Sequence, residues 1–212
     1  MQVAIPVFPR FTALDGIGPY EVLQRIPEID VTFVGHEHGE VRSENGFLGI
    51  TADATFEELP RPDVIVFPGG VGTRPLMDDG RVLSWVRTAH ETTRMTTSVC
   101  TGSLVLAAAG LLDGLTATTH WSVLPTLEQH GATPTSARVV EHVDRRIITA
   151  AGVSSGIDMA LRLVELLFDR TAAEACQLMI EYDPQPPFDA GATWKVGDDV
   201  MTRVVEYAAH RQ

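Results

Sequence analysis

Short runs of β-branched and aromatic residues alternate with longer stretches of helical apolar spacing, and this alternation most constrains the fold. Five runs are predicted strands: Val3–Val7, Val31–Val34, Val64–Phe67, Thr96–Val99 and Ile147–Ala150. Six stretches are predicted helices: Tyr20–Ile26, Val82–His90, Ser103–Leu111, Ser122–His130, Gly156–Phe168 and Ala172–Tyr182. Strands that alternate with helices pair in parallel and carry helices on both faces. The sequence therefore predicts a doubly wound α/β sandwich.

The predicted strands "VIVFP" and "TTSV" are almost entirely apolar or β-branched, which is typical of strands buried on both faces. We therefore expect both in the interior of the sheet. The 212 residues contain no repeat and no Gly/Ser-rich linker, so we expect a single domain over residues 1–212. The Pro-dense stretch Tyr182–Gly191 ends the preceding helix, and Trp194–Arg211 is predicted to be a final helix. Residues 182–212 are thus predicted to form a Pro-rich loop and a C-terminal helix, and the loop is either an ordered surface loop or a linker.

Charge and apolar patterning exclude two classes of partner. The chain has 16 Lys and Arg against 28 Asp and Glu, and a formal net charge of −12 repels nucleic acid and anionic lipid surfaces. The longest apolar stretch, Leu104–Leu112, is shorter than the roughly 18–20 residues that span a bilayer. The N-terminus has no basic start before its apolar run, and Cys100 and Cys176 are too few for a disulfide framework. We expect a cytoplasmic protein with two free thiols and no membrane contact.

A glycine-rich turn, "PGGVGT" at Pro68–Thr73, directly follows one of the interior strands. In open α/β sheets the ligand crevice lies beyond the carboxyl ends of the strands. Glycines there let the backbone approach a ligand and direct amide N–H groups at a developing negative charge. The alternative is a tight strand-to-helix connection with no ligand, and the turn is not a phosphate-binding Walker loop because no Gly-Lys-Ser/Thr follows.

Cys100 stands where the strand "TTSV" gives way to "TGS" and a helix. A cysteine at a helix N-terminus is close to backbone amides and to the positive end of the helix dipole, which lower its pKa and favour the thiolate. Gly102 suits the sharp turn of a nucleophile elbow. The alternative is a small buried packing residue, because free cysteine is among the most buried residue types. We favour the nucleophile.

Two carboxylic acids follow the first strand, Asp15 in the predicted loop and Glu21 in the helix after it. Each has an ordinary alternative role, Asp15 as a turn or cap residue and Glu21 as a solvated helical charge. Because their strand is expected to neighbour the cysteine strand, either carboxyl is a candidate partner of the Cys100 thiol. Such a thiol and carboxyl would share protons as a coupled pair.

His120, in "TATTHW", is the histidine best placed to act as a base near the sulfur, as cysteine hydrolases often require. His36 and His38 flank a glutamate in a predicted loop, but a metal site needs a third ligand. The other histidines are expected on helix ends or polar faces, and Cys176 is expected to pack in the middle of a helix. They are His90, His130, His142 and His210.

The sequence resembles the ThiJ/PfpI superfamily, which has the class I glutamine amidotransferase-like fold, a flavodoxin-like sandwich with a nucleophile-elbow cysteine. The motifs that carry the resemblance run along the whole chain: "LDGIGPYEVL", "FPGGVGTRPLM", "SVCTGSLVLAAAGLLDGLTATTHW", "AAGVSSGIDMAL" and "EYDPQPPFDAG". Together they are most similar to the isocyanide hydratase subgroup. "SVCTGS" and "ATTHW" also occur in AraC-type regulators, whereas the last motif favours the hydratases.

The resemblance implies roles for individual residues. Cys100 would be the nucleophile, Asp15 its carboxyl partner and Thr101 a neighbour whose backbone or hydroxyl polarises the site. Amides of the glycine-rich turn would hold the substrate or its oxyanion: Gly69, Gly70 and Val71. In that subgroup cysteine works with aspartate, so His120 would line the site and Glu21 remains a second candidate acid.

The implied reaction adds water to an isocyanide through a covalent thioimidate on the cysteine and releases an N-substituted formamide. It needs neither a metal nor an organic cofactor, and relatives imply a small-molecule substrate and a homodimer with its site near the interface. Three alternatives stay open. They are a glyoxalase-like or amidase-like cysteine enzyme, a non-catalytic ligand-sensing module like the sensor half of AraC-type regulators, and redox sensing through Cys100.

Overall fold

A seven-stranded sheet is the centre of the first compact unit, Met1–Ile180, in the computed structural model, which describes residues 1–209. The strands of this unit are β1 (Gln2–Pro6), β2 (Asp30–Gly35), β3 (Gly39–Arg42), β4 (Gly49–Ala52), β5 (Ala54–Thr55), β6 (Val64–Phe67), β7 (Met95–Val99), β8 (Thr116–Ala117), β9 (Thr133–Pro134), β10 (Val139–His142) and β11 (Ile147–Ala150). Its helices are α1 (Ala13–Leu23), α2 (Thr73–Leu76), α3 (Gly80–His90), α4 (Gly102–Ala108), α5 (Leu124–Gln129), α6 (Ser155–Leu167) and α7 (Arg170–Met179).

The strand order in the main sheet is β10-β11-β7-β6-β1-β2-β5. Every neighbouring pair is parallel except β10 and β11, which are antiparallel. The predicted α/β architecture with a mostly parallel sheet is confirmed. As predicted, β6 and β7 are interior strands, and all of their residues are buried.

Apolar side chains pack on both faces of this sheet. Helices α2 to α5 cover one face, where Phe8, Phe67 and Leu104 are fully buried. Helices α1, α6 and α7 cover the other face, and Cys176 is buried there, as expected for a packing thiol. Both faces are therefore covered by apolar side chains, as in a parallel sheet with helices on both sides, and the strands also bury the hydroxyls of Thr96, Thr97, Ser98 and Thr149.

Several structural features depart from the predictions. No strand was predicted for the β3–β4 hairpin, whose strands have four residues each, or for β10. His142, expected on a helix end or polar face, lies in β10 and its ring nitrogen contacts the Thr116 carbonyl oxygen at 2.7 Å. Helix α1 begins at Ala13, earlier than predicted, so Asp15 belongs to its first turn and not to a loop.

The second compact unit begins at Glu181. It holds the Pro-rich stretch, a 3₁₀ turn at Thr193–Lys195 and helix α8 (Asp198–Ala209). The predicted helix started at Trp194, but Val196 is extended, so the α-helix starts only after Gly197. Residues 210–212 of that predicted helix, including His210, lie outside the described residues. The single-domain assignment of residues 1–212 stays a prediction.

No helix within residues 1–209 combines the length and apolar character needed to cross a bilayer.

Candidate active site

Cys100 occupies the sharp turn between β7 and α4, as predicted for a nucleophile elbow. Its φ of 57° lies in the left-handed region, which non-glycine residues rarely adopt. Its amide donates to the carbonyls of Ala150 and Ala151 at 3.1 and 2.8 Å. Its carbonyl accepts from the hydroxyls of Thr119 at 2.9 Å and Ser103 at 3.1 Å. These bonds hold an unfavourable backbone geometry, and such strain in a folded protein is typical of functional sites.

Gly102 allows this turn to pack against the neighbouring strand. A Cβ atom built on Gly102 would lie 2.1 Å from the carbonyl oxygen of Phe67 at the end of β6. No side chain fits in that space without moving the backbone. The elbow therefore requires glycine two residues after the cysteine because of close approach.

Asp15 is the carboxyl that meets the thiol. Its side chain is fully buried, with 0% exposure, and Oδ2 accepts the Gly69 amide at 2.9 Å. The carboxyl also interacts with the Cys100 thiol through a side-chain hydrogen bond that lowers the pKa of Asp15. Within residues 1–209, Oδ1 has no hydrogen-bond partner of good geometry. One carboxyl oxygen is thus fixed by the backbone and the other is available to a reacting group.

Burial controls the proton equilibria of this pair. It raises the pKa of Asp15 to about 7, against the lowering effect of the hydrogen bonds from Gly69 and Cys100. Burial and the Asp15 charge raise the pKa of the Cys100 thiol above its ordinary value, although the amides of Val153 and Thr101 lower it. The prediction that the helix N-terminus lowers the pKa of Cys100 was therefore wrong, because the effect of burial exceeds that of the backbone amides. Above about pH 7 the thiol and carboxyl together hold one proton, and below it both groups are protonated.

The glycine-rich turn lies beside this pair, but its amides already have partners. The Gly69 amide binds Asp15, the Gly70 amide donates to Thr101 Oγ1 at 2.8 Å, and the Val71 amide donates to Glu44 Oε1 at 3.2 Å. A Cβ atom on Gly69 would lie 2.5 Å from the Thr101 nitrogen. In this structure the turn positions the reacting side chains, and its role as a substrate or oxyanion site stays a prediction.

Thr101 connects the elbow to the same turn. Its hydroxyl accepts from the Gly70 amide, lies 3.0 Å from the Gly70 carbonyl, and accepts from the Thr73 hydroxyl at 3.1 Å. Its backbone amide, together with that of Val153, interacts with the sulfur. The backbone, rather than the hydroxyl, thus acts on the thiol, and the hydroxyl fixes the turn.

Glu21 lies apart from the pair. Six residues along a helix from Asp15 correspond to a rotation of about 240°, so the two side chains leave α1 in different directions. Glu21 Oε2 accepts from Gln24 Nε2 at 2.7 Å and Arg25 at 3.0 Å. Its side chain is 44% exposed, so its role matches the solvated helical charge named above as its alternative.

His120 lines the site region without bonding the thiol in the described part of the chain. Its Nδ1 pairs with the Ser122 hydroxyl at 2.7 Å, and its ring packs against Gly152. Burial and the Arg74 charge lower the pKa of His120, while Glu44 raises it. The imidazole therefore caps the turn at Ser122 through Nδ1, which agrees with a residue that lines the site and does not act as the base.

Among residues 1–209, the remaining histidines form no metal cluster. His36 pairs with Asp79 at 2.7 Å and His38 with Glu58 at 2.6 Å. Over residues 1–209, no three His, Cys, Asp or Glu side chains come together as metal ligands.

Two site residues escaped the sequence analysis. Val153 has a φ of 36°, and its amide interacts with the Cys100 thiol. Glu44, between β3 and β4, accepts from the Val71 amide and from the Thr12 hydroxyl, and its charge raises the pKa of Asp15. No local pattern marks either residue, because each reaches the site from a distant part of the chain.

Residues 1–166 match the DJ-1/PfpI family. The chain belongs to this family. It is 43% identical over 214 residues to the isonitrile hydratase of Pseudomonas putida, covering 100% of this chain and 90% of the relative. The HTH-type transcriptional regulator GbdR of Pseudomonas aeruginosa is 31% identical over 136 residues, which cover 64% of this chain and 37% of the regulator.

Solved structures agree with this assignment. A ThiJ/PfpI family protein from Pseudomonas syringae superposes with a TM-score of 0.92 at 40% identity, covering 99% of this chain and 86% of that one. Oxidized DJ-1 of Toxoplasma gondii has a TM-score of 0.75 at 23% identity, covering 86% and 99%, and this likeness concerns the fold alone. The family predicted from the motifs is confirmed.

Proposed function

We propose that the chain is a cysteine-dependent isonitrile hydratase that converts isocyanides into N-substituted formamides without a cofactor. The observation that carries the proposal is the buried Cys100–Asp15 pair at the elbow. The relative that spans the full chain is an isonitrile hydratase, which gives the substrate class. An isocyanide carbon must receive both a nucleophile and a proton, and a thiol beside a carboxyl of pKa about 7 supplies both.

In the first step, the Cys100 sulfur bonds to the terminal carbon of the isocyanide. The thiol proton passes through Asp15 to the same carbon, so the product is a neutral thioimidate, R–N=CH–S–Cys. Asp15 ends the step as a carboxylate. The amides of Thr101 and Val153 interact with the sulfur and stabilise negative charge on it.

In the second step, Asp15 accepts a proton from water as its oxygen bonds to the thioimidate carbon. Asp15 passes this proton to the nitrogen, and the carbon–sulfur bond of the resulting tetrahedral adduct breaks. The sulfur leaves with its electron pair, and Asp15 transfers to it the proton of the adduct's hydroxyl, which restores the thiol and the carboxylate. The products are the N-substituted formamide and the free thiol, and the net change is the addition of one water.

The test follows formation of the formamide from an aryl isocyanide by the purified protein. Turnover is expected in the wild type and in His120→Ala with a modest loss, and it is expected to vanish in Cys100→Ala and Asp15→Asn. Intact mass under turnover should show an adduct equal to the mass of one isocyanide, absent from Cys100→Ala. No formamide from a folded wild type, or full turnover in Cys100→Ala, would reject the proposal.

His120→Ala also distinguishes the proposed hydratase from a glyoxalase-like or amidase-like enzyme, since an enzyme that needs a Cys-His pair would lose turnover in that variant. We also propose a small-molecule substrate and a homodimer, as the family resemblance implies. Sedimentation equilibrium is expected to return twice the mass of the chain, and a monomer at micromolar concentration would contradict it.

A further inference from the structure

The carboxylate of Glu44 joins two segments that both hold Asp15. Its Oε1 accepts from the Thr12 hydroxyl at 2.9 Å and from the Val71 amide at 3.2 Å. Thr12 precedes α1, and its carbonyl accepts the Asp15 amide at 3.1 Å. Val71 follows the turn whose Gly69 amide binds Asp15. One exposed acid between β3 and β4 therefore bridges the two segments that hold Asp15.

The charge of Glu44 also reaches the reacting pair. Apart from the thiol, Glu44 is the side chain whose charge acts on Asp15, and it acts on His120 as well. Arg74 also lies near this turn, since its guanidinium donates to the Gly70 carbonyl at 3.4 Å and its charge acts on His120. An electrophile that reaches Cys100 comes next to Asp15 and so within range of the same negative charge.

We propose that Glu44 is a specificity-determining residue that makes the site select neutral electrophiles over anionic ones. An anionic substituent of a substrate that lies within a Debye length of Glu44 is repelled by its carboxylate. The Thr12 hydroxyl and the Val71 amide cannot compensate by binding that anion, because both already donate to Glu44 Oε1. A neutral substituent meets no such repulsion. The inference deepens the proposed function, because it names uncharged isocyanides as the substrate class.

The first test is independent of hydratase turnover. Iodoacetamide and iodoacetate alkylate thiols by the same displacement of iodide but differ in charge. The rate of modification of the Cys100 peptide is followed by mass spectrometry, and the ratio of the two rates is normalised to that of free glutathione. The wild type is expected to prefer iodoacetamide about tenfold beyond glutathione, and added salt should reduce that preference.

Two substitutions separate the charge of Glu44 from its structural role. Glu44→Gln keeps an oxygen that accepts from Thr12 and Val71 but removes the charge, so the preference should fall to the part that the neighbouring Asp15 carboxylate imposes. Glu44→Ala removes the charge and the hydrogen bonds. Glu28→Gln is the matched control, because this exposed acid precedes β2 at the amino end of the strands, opposite the site, and should leave the preference unchanged. An unchanged preference in Glu44→Gln would overturn the proposal, and so would a change confined to Glu44→Ala.

The second test uses substrates of the proposed reaction, methyl isocyanoacetate and the isocyanoacetate anion. In Glu44→Gln, kcat/KM for the anion relative to the ester is expected to rise about tenfold. A constant ratio would count against the proposal. If the wild type hydrates neither compound, the proposed function fails, whereas the alkylation rates still decide the role of Glu44.

Discussion

Replacing Asp15 by Asn should stabilise the fold while abolishing the proposed activity. Burial raises the pKa of Asp15 from 3.8 to about 7, so the ionised carboxylate is worse accommodated in the folded chain than in the unfolded one. A gap of about 3 pKa units corresponds to roughly 4 kcal/mol, since one unit is 1.36 kcal/mol. The proton shared with Cys100 reduces this value, so we expect a gain of about 2–4 kcal/mol above pH 7. An Asn oxygen still accepts the Gly69 amide.

The sign of the pH dependence follows from the raised pKa. Below about pH 4, Asp15 is protonated in both states and the variant gains nothing from this source. As pH rises through about 7, the wild type loses stability through Asp15 and the variant does not. The difference between the two proteins should therefore open between about pH 4 and pH 7. For a chain of this size, 2–4 kcal/mol corresponds to a Tm difference of roughly 5–15 °C.

The assay is urea unfolding of both proteins at pH 4.5 and pH 8, followed by fluorescence, with thermal unfolding as a second measurement. Asp30→Asn is the control, because Asp30 is exposed at the start of β2 and its replacement should change little at either pH. The reasoning is refuted if Asp15→Asn is less stable than the wild type at pH 8. It is also refuted if the two proteins differ equally at both pH values.

Three further predictions follow from the site geometry. Gly102→Ala places a Cβ atom 2.1 Å from a backbone carbonyl and should cost about 3 kcal/mol or more in urea unfolding, whereas Gly80→Ala meets no neighbouring atom and should be nearly neutral. Thr101→Val leaves the buried Gly70 amide without its acceptor, while the Thr73 hydroxyl keeps its bond to the Gly70 carbonyl, and should cost about 1–3 kcal/mol, which Thr101→Ser should largely restore. The alkylation rate of Cys100 by iodoacetamide should rise with pH through a midpoint near 7, because Asp15 must ionise to accept the thiol proton; a midpoint above 9 would contradict the shared proton.

The main sheet was predictable because each interior strand is a short apolar run with helical spacing on either side. The position of Cys100 was predictable for the same reason, since the strand "TTSV" ends one residue before it. Strand β10 and the β3–β4 hairpin were not predicted. Apart from the buried Ala52, their residues are half-buried or exposed, so little apolar patterning marks them.

The electrostatics of the site could not be predicted from the sequence to the same extent. The sequence placed Asp15 near the thiol but could not show that its side chain is fully buried, and burial is what sets its pKa. The hydrogen-bond acceptors of the Gly70 and Val71 amides could not be predicted from the sequence either. They come from Thr101 and Glu44, which are 31 and 27 residues away along the chain.

The hydrogen bonds of the Cys100 amide set an order of assembly for the site. Both of its acceptors, the carbonyls of Ala150 and Ala151, lie at the end of β11, about fifty residues further along the chain. During synthesis, the turn at residue 100 leaves the ribosome well before those acceptors exist. A nascent chain that stops short of β11 therefore carries the thiol but lacks the bonds that hold its backbone at the elbow. The backbone geometry of Cys100 forms only after β11 has paired with β7. Until then, an incomplete chain carries a cysteine with the reactivity of an unstructured thiol.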